Sequence, residues 1–327
     1  MTMNKYPTRS YFNNLGSVTI LVALILVFSL LSRNFLSVKT FTAIANQIPG
    51  LTVMAIGMTF VIIIGGIDLS VGSVMAFSAV GFASALVEWQ LPLAIAVLLS
   101  FCLGLICGSL NGLIISHWKI PSFIVTLAML EMARGATYLL AQSRTIYIGS
   151  EISWINEPVI GGISLAFVLA LCLVFAAHLI LTETVFGRYV VGIGTNETAM
   201  QLSGINSALV RVLVFTGAGG LASVAALLSS SRLEAADPNA GIGLELQVIA
   251  SVVIGGTSLL GGRGSVIATF VGVLIISTLE TGLSQIGTSE PFKRIITGLV
   301  IMVAVIMDIH RSHVQSKEVV TSDLKYS

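Results

Sequence analysis

A chain of 327 residues with 55% hydrophobic and 9% charged residues and a mean hydropathy of +0.99 cannot have water as its main solvent; soluble domains carry about 25% charged residues. A formal net charge of +1 offers no field for nucleic acid and no acidic tail for a basic partner, so nucleic acid is excluded and the surface outside a bilayer must be small. Cys102, Cys107 and Cys172 lie inside apolar runs, at spacings that fit neither a disulfide framework nor a zinc site, and read as packing.

Lys5 and Arg9 followed by the apolar run Val18 to Leu31 have the outline of a signal peptide. No small-residue cleavage site follows at Ser32-Arg33-Asn34, and further hydrophobic runs come at once, so this run is expected to be an uncleaved first span. A transmembrane helix needs roughly 20 mostly apolar residues. Runs of that kind fall near 17–32, 43–65, 68–87, 92–116, 121–141, 161–181, 208–230, 245–262, 265–285 and 292–309. The expected fold is therefore an all-α polytopic membrane protein of about ten transmembrane helices, with both termini inside. With that orientation Lys5, Arg9, Lys119, Arg188, Arg211, Arg263, Arg311, Lys317 and Lys325 are cytoplasmic, nine of the sixteen basic residues, a modest positive-inside bias. The longest polar connections, around 142–160 and 182–207, are too short to hold a soluble domain. Residues 1–327 read as one membrane domain, with a cytoplasmic N-terminal tail (1–16), a cytoplasmic segment (182–207) and a cytoplasmic C-terminal tail (310–327).

Ile63-Ile64-Gly65-Gly66-Ile67-Asp68-Leu69 is echoed by Val253-Ile254-Gly255-Gly256-Thr257-Ser258-Leu259, and Gly-Ser-Val follows each. An internal repeat would explain the echo, as would chance in a chain rich in Gly and Val. Gly65, Gly66, Gly255, Gly256, Gly261 and Gly262 are the candidates for helix breaks or a gate, because Gly-interrupted hydrophobic segments in matching places point to a transport pathway.

No G-x-x-x-x-G-K-[ST] phosphate loop is present, and Gly255 to Gly264 lacks the Lys-Ser/Thr pair that such a loop requires. Ionisable groups within the spans are few: Asp68, Glu131, Arg134 and Glu280. Glu131 and Arg134, three residues apart, share a helix face and are expected to pair. Asp68 after Gly65-Gly66 suits a cap for the next helix, with contact to cargo as the alternative. His310 and His313 have ligand-like spacing but no third ligand, so no metal site is expected.

The polar segment Thr182 to Ile205 reads as containing a short cytoplasmic helix. Asn196 is a good N-cap, Glu197 puts negative charge in the first turn, and Gly204 suits the left-handed residue that ends a helix. A helix this short needs a partner. Ala199, Leu202 and Ile205 offer a small apolar edge for docking on a soluble protein; an amphipathic loop on the lipid surface is the other reading.

Four blocks occur in order along nearly the whole chain: Gly65-Gly66-Ile67-Asp68-Leu69-Ser70-Val71-Gly72-Ser73; Pro121-Ser122-Phe123-Ile124-Val125-Thr126-Leu127 with Arg134-Gly135; Phe186 to Ile205; and Ile249-Ala250-Ser251-Val252-Val253-Ile254-Gly255-Gly256-Thr257. Together they resemble the membrane permeases of ribose-type sugar ABC importers. Gly192, Thr195 and Met200 stand where such permeases more usually show Ala, Gly and Ala, and Glu131 is not typical of them. The resemblance implies a bacterial inner-membrane subunit that works with a second permease, a copy of itself or a paralogue. It also implies a cytoplasmic ABC ATPase that carries the ATP and Mg, and a periplasmic sugar-binding protein. The short helix would be the coupling helix, engaging the ATPase through Gly187, Arg188, Asn196, Ala199, Leu202, Ser203, Gly204 and Ile205.

A permease for a sugar or related polyol needs scattered hydrogen-bond partners along its path, for which Asn46, Gln47, Thr59, Asp68, Ser70 and Asn111 are the candidates. Each of these also suits helix packing. No catalytic residue and no cofactor bound by this chain are expected. An ion-coupled carrier or channel acting without an ATPase is the main alternative, and an intramembrane enzyme a second; sparse intramembrane charge speaks against the first. The absence of a Ser–His pairing or an H-E-x-x-H motif speaks against the second.

Overall fold

A computed structural model describes residues 10–300, 302–303 and 305–306. The start of the expected N-terminal tail and the whole 310–327 tail, with His310 and His313, lie outside them.

The chain is built from helices: α1 (Ser10–Leu31), α2 (Val38–Gln47), α3 (Pro49–Ile63), α4 (Val71–Ala83), α5 (Leu93–Trp118), α6 (Ser122–Ala141), α7 (Leu165–Glu183), α8 (Val185–Leu202), α9 (Ser207–Leu233), α10 (Leu244–Ile254) and α11 (Val266–Gln285). A π-helical turn, Ser84–Glu88, extends α4, and residues 290–300 are again helical. Six of these elements are long and apolar enough to cross a membrane, seven if α2 and α3, bent by 50° at Ile48, count as one span. The protein is thus a multi-pass α-helical membrane protein. The expected spans up to 285 each coincide with a helix or a bent pair, but the apolar part of α1, Gly16–Leu31, and the helix near 245–262 are shorter than the six, and the span expected near 292–309 lies partly outside the described residues. The helix near 245–262, α10, has 11 residues, about 16 Å at 1.5 Å per residue, against a hydrocarbon core of about 30 Å.

The centre is α3, buried on nearly every side, as its apolar character all round demands. It packs on α9, α10, α7 and α11. The most extensive helix contact joins α5 to α9. A Cβ on Gly104 would sit 2.3 Å from the Gly219 carbonyl oxygen, and one on Gly219 would sit 2.1 Å from that of Gly104. Small residues let the two backbones touch, which is how helices gain dispersion contact where lipid removes the hydrophobic drive. Two short antiparallel pairings tie loops together: β1 (Ile146–Tyr147) with β4 (Ala235–Ala236), and β2 (Pro158–Ile160) with β3 (Ile163–Ser164). Both lie at the end of the bundle where α6 and α9 finish.

The opposite end collects α8 and the breaks after α3 and α10. Each break opens with the same closure. Gly66 N donates to Val61 O (2.8 Å) across Gly65 at φ +83, and Thr257 N donates to Val252 O (3.2 Å) across Gly256 at φ +93. These are Schellman-type ends, which need the left-handed backbone that glycine adopts without strain. The two halves of the sequence echo therefore do the same job, one residue out of register: Gly65 corresponds in geometry to Gly256, not to Gly255.

Candidate functional site

The segment 182–207 folds as two helices joined at Asn196, whose backbone (φ −158, ψ 94) is extended. Residues 197–202 form the short helix read from the sequence. Asn196 Oδ1 accepts from Ala199 N (2.9 Å), and Ile205 N closes onto Met200 O (3.1 Å) across Gly204 at φ +82. Ala199 is exposed, Leu202 is 86% exposed and Ile205 is half-buried, so the apolar edge is uncovered in the single chain. Glu197 ties the helix to α9, taking hydrogen bonds from Arg211 (2.8 Å) and Ser207 (2.9 Å), while Gln201 donates to Ser207 (2.8 Å). Burial pushes the Glu197 carboxyl up, but these donors outweigh it and hold it below the usual carboxylate range.

Residues 185–195, expected as connecting chain, are helical. Thr184 Oγ1 caps them by accepting from Gly187 N (3.2 Å). Their glycines, poor helix formers in isolation, are needed for close approach. A Cβ on Gly187 would fall 2.1 Å from Leu181 O, and one on Gly194 would fall 1.8 Å from Ile63 O and 2.6 Å from Gly262 N. Phe186 stacks on Phe60 of α3. Arg188 is exposed and Ser203 donates to Ala199 O (2.9 Å).

Gly194 is the meeting point of three strands of backbone. Gly262 N donates to Ile63 O (2.8 Å), and a Cβ on Gly261 would lie 3.0 Å from Gly194 O and 3.2 Å from Gly65 Cα. The last turn before the short helix therefore rests directly on the breaks after α3 and α10. Gly65, Gly261 and Gly262 gather here, with Gly66 packed on Phe215, while Gly255 instead packs against Ala268 of α11. Gly194 carried no special signal in the sequence.

The six candidate pathway residues divide into three groups. Asp68, Ser70 and Asn111 come together, all buried: Asp68 Oδ1 accepts from Ser70 N (2.8 Å) and Ser70 Oγ (2.6 Å), and Asn111 Nδ2 donates to Ser70 Oγ (3.0 Å). Asp68 thus closes a turn onto the N-cap residue of α4 and does not reach an amide of the first helical turn. Asn111 Oδ1 has no hydrogen-bond partner among the described residues. Thr59 bonds Ala55 O and Thr269 Oγ1 (2.8 Å) between α3 and α11. Asn46 pins the β2–β3 hairpin, donating to Gly162 O (2.9 Å) and accepting from Ser164 N (2.8 Å). Gln47 lines a cleft of about 110 Å³ with Asn156, Arg232, Gln247 and Ser277 near the other end of the bundle.

Glu131 and Arg134 do not pair. Arg134 Nη1 donates to Pro238 O (2.7 Å) and Ala240 O (2.9 Å), leaving Glu131 exposed. The carbonyls of the non-helical stretch before α10 need donors, and one guanidinium nitrogen supplies both. Ser122 and Thr126 of α6 were also missed as functional positions; their hydroxyls accept from Ile67 N (2.9 Å) and Leu69 N (3.1 Å) in the first break.

The chain is similar to known proteins along most of its length. The family described as branched-chain amino acid transport system / permease component matches residues 40–305. The ribose import permease protein RbsC of Haemophilus influenzae is 39% identical over 296 residues, covering 88% of this chain and 90% of that protein. Its namesake in Escherichia coli K12 is 35% identical over 311 residues, 93% and 96% of the two chains. The fructose import permease protein FrcC of Rhizobium meliloti is 30% identical over 304 residues, 89% and 83%. No solved structure matches the chain.

Proposed function

Because this chain belongs to the family of permease components of branched-chain amino acid transport systems, we propose that it is the translocating subunit of an ATP-driven importer whose cargo is a ribose-like monosaccharide or related polyol. The sugar assignment follows relatives named for ribose and fructose import, not the amino acids of the family description. The whole chain acts as one permease domain in the bacterial inner membrane, with about ten helical segments, both termini cytoplasmic and α8 on the cytoplasmic face. It holds no cofactor and makes and breaks no covalent bond. ATP and Mg bind a separate cytoplasmic ATPase, a periplasmic binding protein delivers the sugar, and a second permease completes the pathway.

One observation carries the coupling: the helix ending at Gly194 and Thr195 touches both glycine breaks, and the helix that follows presents Ala199 and Leu202 uncovered. When the ATPase closes on nucleotide it moves the docked 197–202 helix. Glu197 and Arg211 carry that motion into α9, and Gly194 carries it onto Ile63 and Gly262. Packed elements of this kind shift as rigid bodies between discrete arrangements. The test is reconstitution with the ATPase and binding protein, screening pentoses, hexoses and polyols for stimulated ATP hydrolysis. Stimulation by one of them supports the reading; flux through this chain alone, driven by an ion gradient and indifferent to ATP, would replace it with an ion-coupled carrier.

A further inference from the structure

The cleft between the α2–α3 bend, the last turns of α9, the start of α10 and the side of α11 gathers polar side chains in a chain that has few of them. Gln47, Asn156, Ser229, Arg232, Gln247 and Ser277 all line it. Their bonds to the protein decide what each has left to offer. Asn156 Nδ2 donates to Ser231 Oγ, whose own proton goes to Ile152 O (2.8 Å), so the nitrogen must face Ser231 and the Asn156 carbonyl oxygen is left over. Gln247 Nε2 donates to Glu280 Oε1 (2.7 Å), which fixes that amide in the same way and leaves Gln247 Oε1 without a donor. Arg232 makes no hydrogen bond or ion pair among the described residues. Its place in the last turn of α9 suits the helix dipole, yet the guanidinium N–H donors stay unspent. Gln47 is exposed, whereas its neighbour Asn46 is spent on the β2–β3 hairpin.

The cleft therefore offers N–H donors and carbonyl acceptors side by side. A simple anion would have no use for the two oxygens, and a cation none for the guanidinium; a hydroxyl group both donates and accepts. Glu280, held by Gln247, offsets the charge of Arg232, which also favours a neutral ligand. The volume of about 110 Å³ is room for roughly four waters at about 30 Å³ each, well short of the roughly 300 Å³ of a site that encloses its ligand. It fits one edge of a small polyhydroxyl compound and lets the rest project.

We infer that this cleft is a cargo subsite within a single chain, where Arg232 donates to, and Asn156 and Gln247 accept from, adjacent hydroxyls of a neutral monosaccharide or polyol. This deepens the permease reading and rests on its sugar cargo. A grip on one edge holds cargo weakly, as a protein that must release it requires. In the orientation proposed above the cleft lies at the outer end of the bundle, away from α8, where cargo arrives.

The test uses the assembled complex in native membranes, with Cys102, Cys107 and Cys172 replaced by Ala and one new cysteine introduced at a time. Gln47→Cys and Ser229→Cys report from the cleft, and Ser150→Cys, exposed in the loop after β1, reports from outside it. A charged, water-soluble thiosulfonate is applied with and without D-ribose, D-fructose or ribitol, in the absence of ATP and of the binding protein. At least one of the three is expected to slow modification at 47 and 229 several-fold and to leave 150 unchanged. Adding Arg232→Gln or Gln247→Leu is expected to raise the concentration needed for protection about ten-fold, with the unprotected rate unchanged, which a mere loss of structure would not allow. No protection by any of the three, or equal protection at 150, would overturn the subsite, and so would thiols at 47 and 229 that react only with a lipid-soluble maleimide. Protection by D-gluconate alone would overturn the neutral class of ligand. Protection requires neither ATP nor the binding protein, so ion-driven flux that displaced the importer reading would leave this result standing, and normal ATP-driven uptake with unprotected cysteines would sink this inference alone.

Discussion

At residues 64–70 the chain leaves α3 through left-handed Gly65 and is then held by side chains: Ser122 and Thr126 of α6 take the amides of Ile67 and Leu69, and Asn111 of α5 reaches Ser70. At residues 255–265 it leaves α10 through left-handed Gly256, and backbone meets backbone where Gly262 N donates to Ile63 O and Gly261 lies against Gly194 and Gly65. The first break is bolted to α5 and α6. The second meets its neighbours through Gly261 and Gly262, with the last turn before the 197–202 helix set against both breaks. If α8 carries the coupling proposed above, a pull on it meets side-chain hydrogen bonds on one side and close glycine contacts on the other.

The largest expected effect comes from wedging that contact. Gly194→Val would place carbon where a Cβ already falls 1.8 Å from Ile63 O, and overpacking of this sort costs typically about 1–3 kcal/mol. Uptake in reconstituted vesicles should fall on the order of 100-fold, while basal ATP hydrolysis by the assembled complex persists. Normal uptake would mean that the junction is not on the route. Next comes Thr126→Val, which leaves the Leu69 amide without its acceptor at a cost of about 1–3 kcal/mol. Thermal unfolding in detergent should register it as a lowered midpoint, and an unchanged midpoint would mean that the side chains of α6 do not hold the first break.

Gly65→Ala and Gly256→Ala sharpen the likeness between the breaks. No atom lies within 4 Å of a Cβ at either position, so only the left-handed backbone resists, at about 1–2 kcal/mol. The two variants should lose similar stability, and a large difference between them would show that the breaks are not equivalent turns. The smallest effect belongs to Glu197. Its carboxyl lies below the ordinary value of 4.5 when folded, so its stabilising contribution is complete above that value and disappears as pH falls through the depressed one. Its side chain is 37% exposed, and after solvent screening Glu197→Gln should cost about 0.5 kcal/mol at neutral pH. A pH titration of the unfolding midpoint should show the wild-type advantage vanish in acid.

Local signals were the legible ones. Asn196 and Gly204 marked the ends of the short helix because capping depends on residue type within a few positions, and the long apolar runs marked the spans because hydrocarbon thickness sets their length. The helix at 185–195 was hidden, since Gly187, Gly192 and Gly194 weaken helix propensity and their reward lies in contacts with Leu181, Met200 and Ile63. The shortness of α10 was hidden too, because Leu259 and Leu260 prolong the apolar run beyond the helix end at Ile254. Arg134 was matched to Glu131 by spacing, yet its partners lie more than a hundred residues away, at Pro238 and Ala240. Distant backbone carbonyls leave no trace in a local pattern.

The most direct test of the coupling account is to place a charge on the exposed edge with Ala199→Glu and to measure, in the same vesicles, how much ATPase remains bound and how much sugar enters. Loss of ATPase association together with at least a ten-fold fall in uptake, with membrane insertion unchanged, is the predicted result. Wild-type association and uptake would contradict it and remove residues 197–202 as the link between ATP hydrolysis and transport.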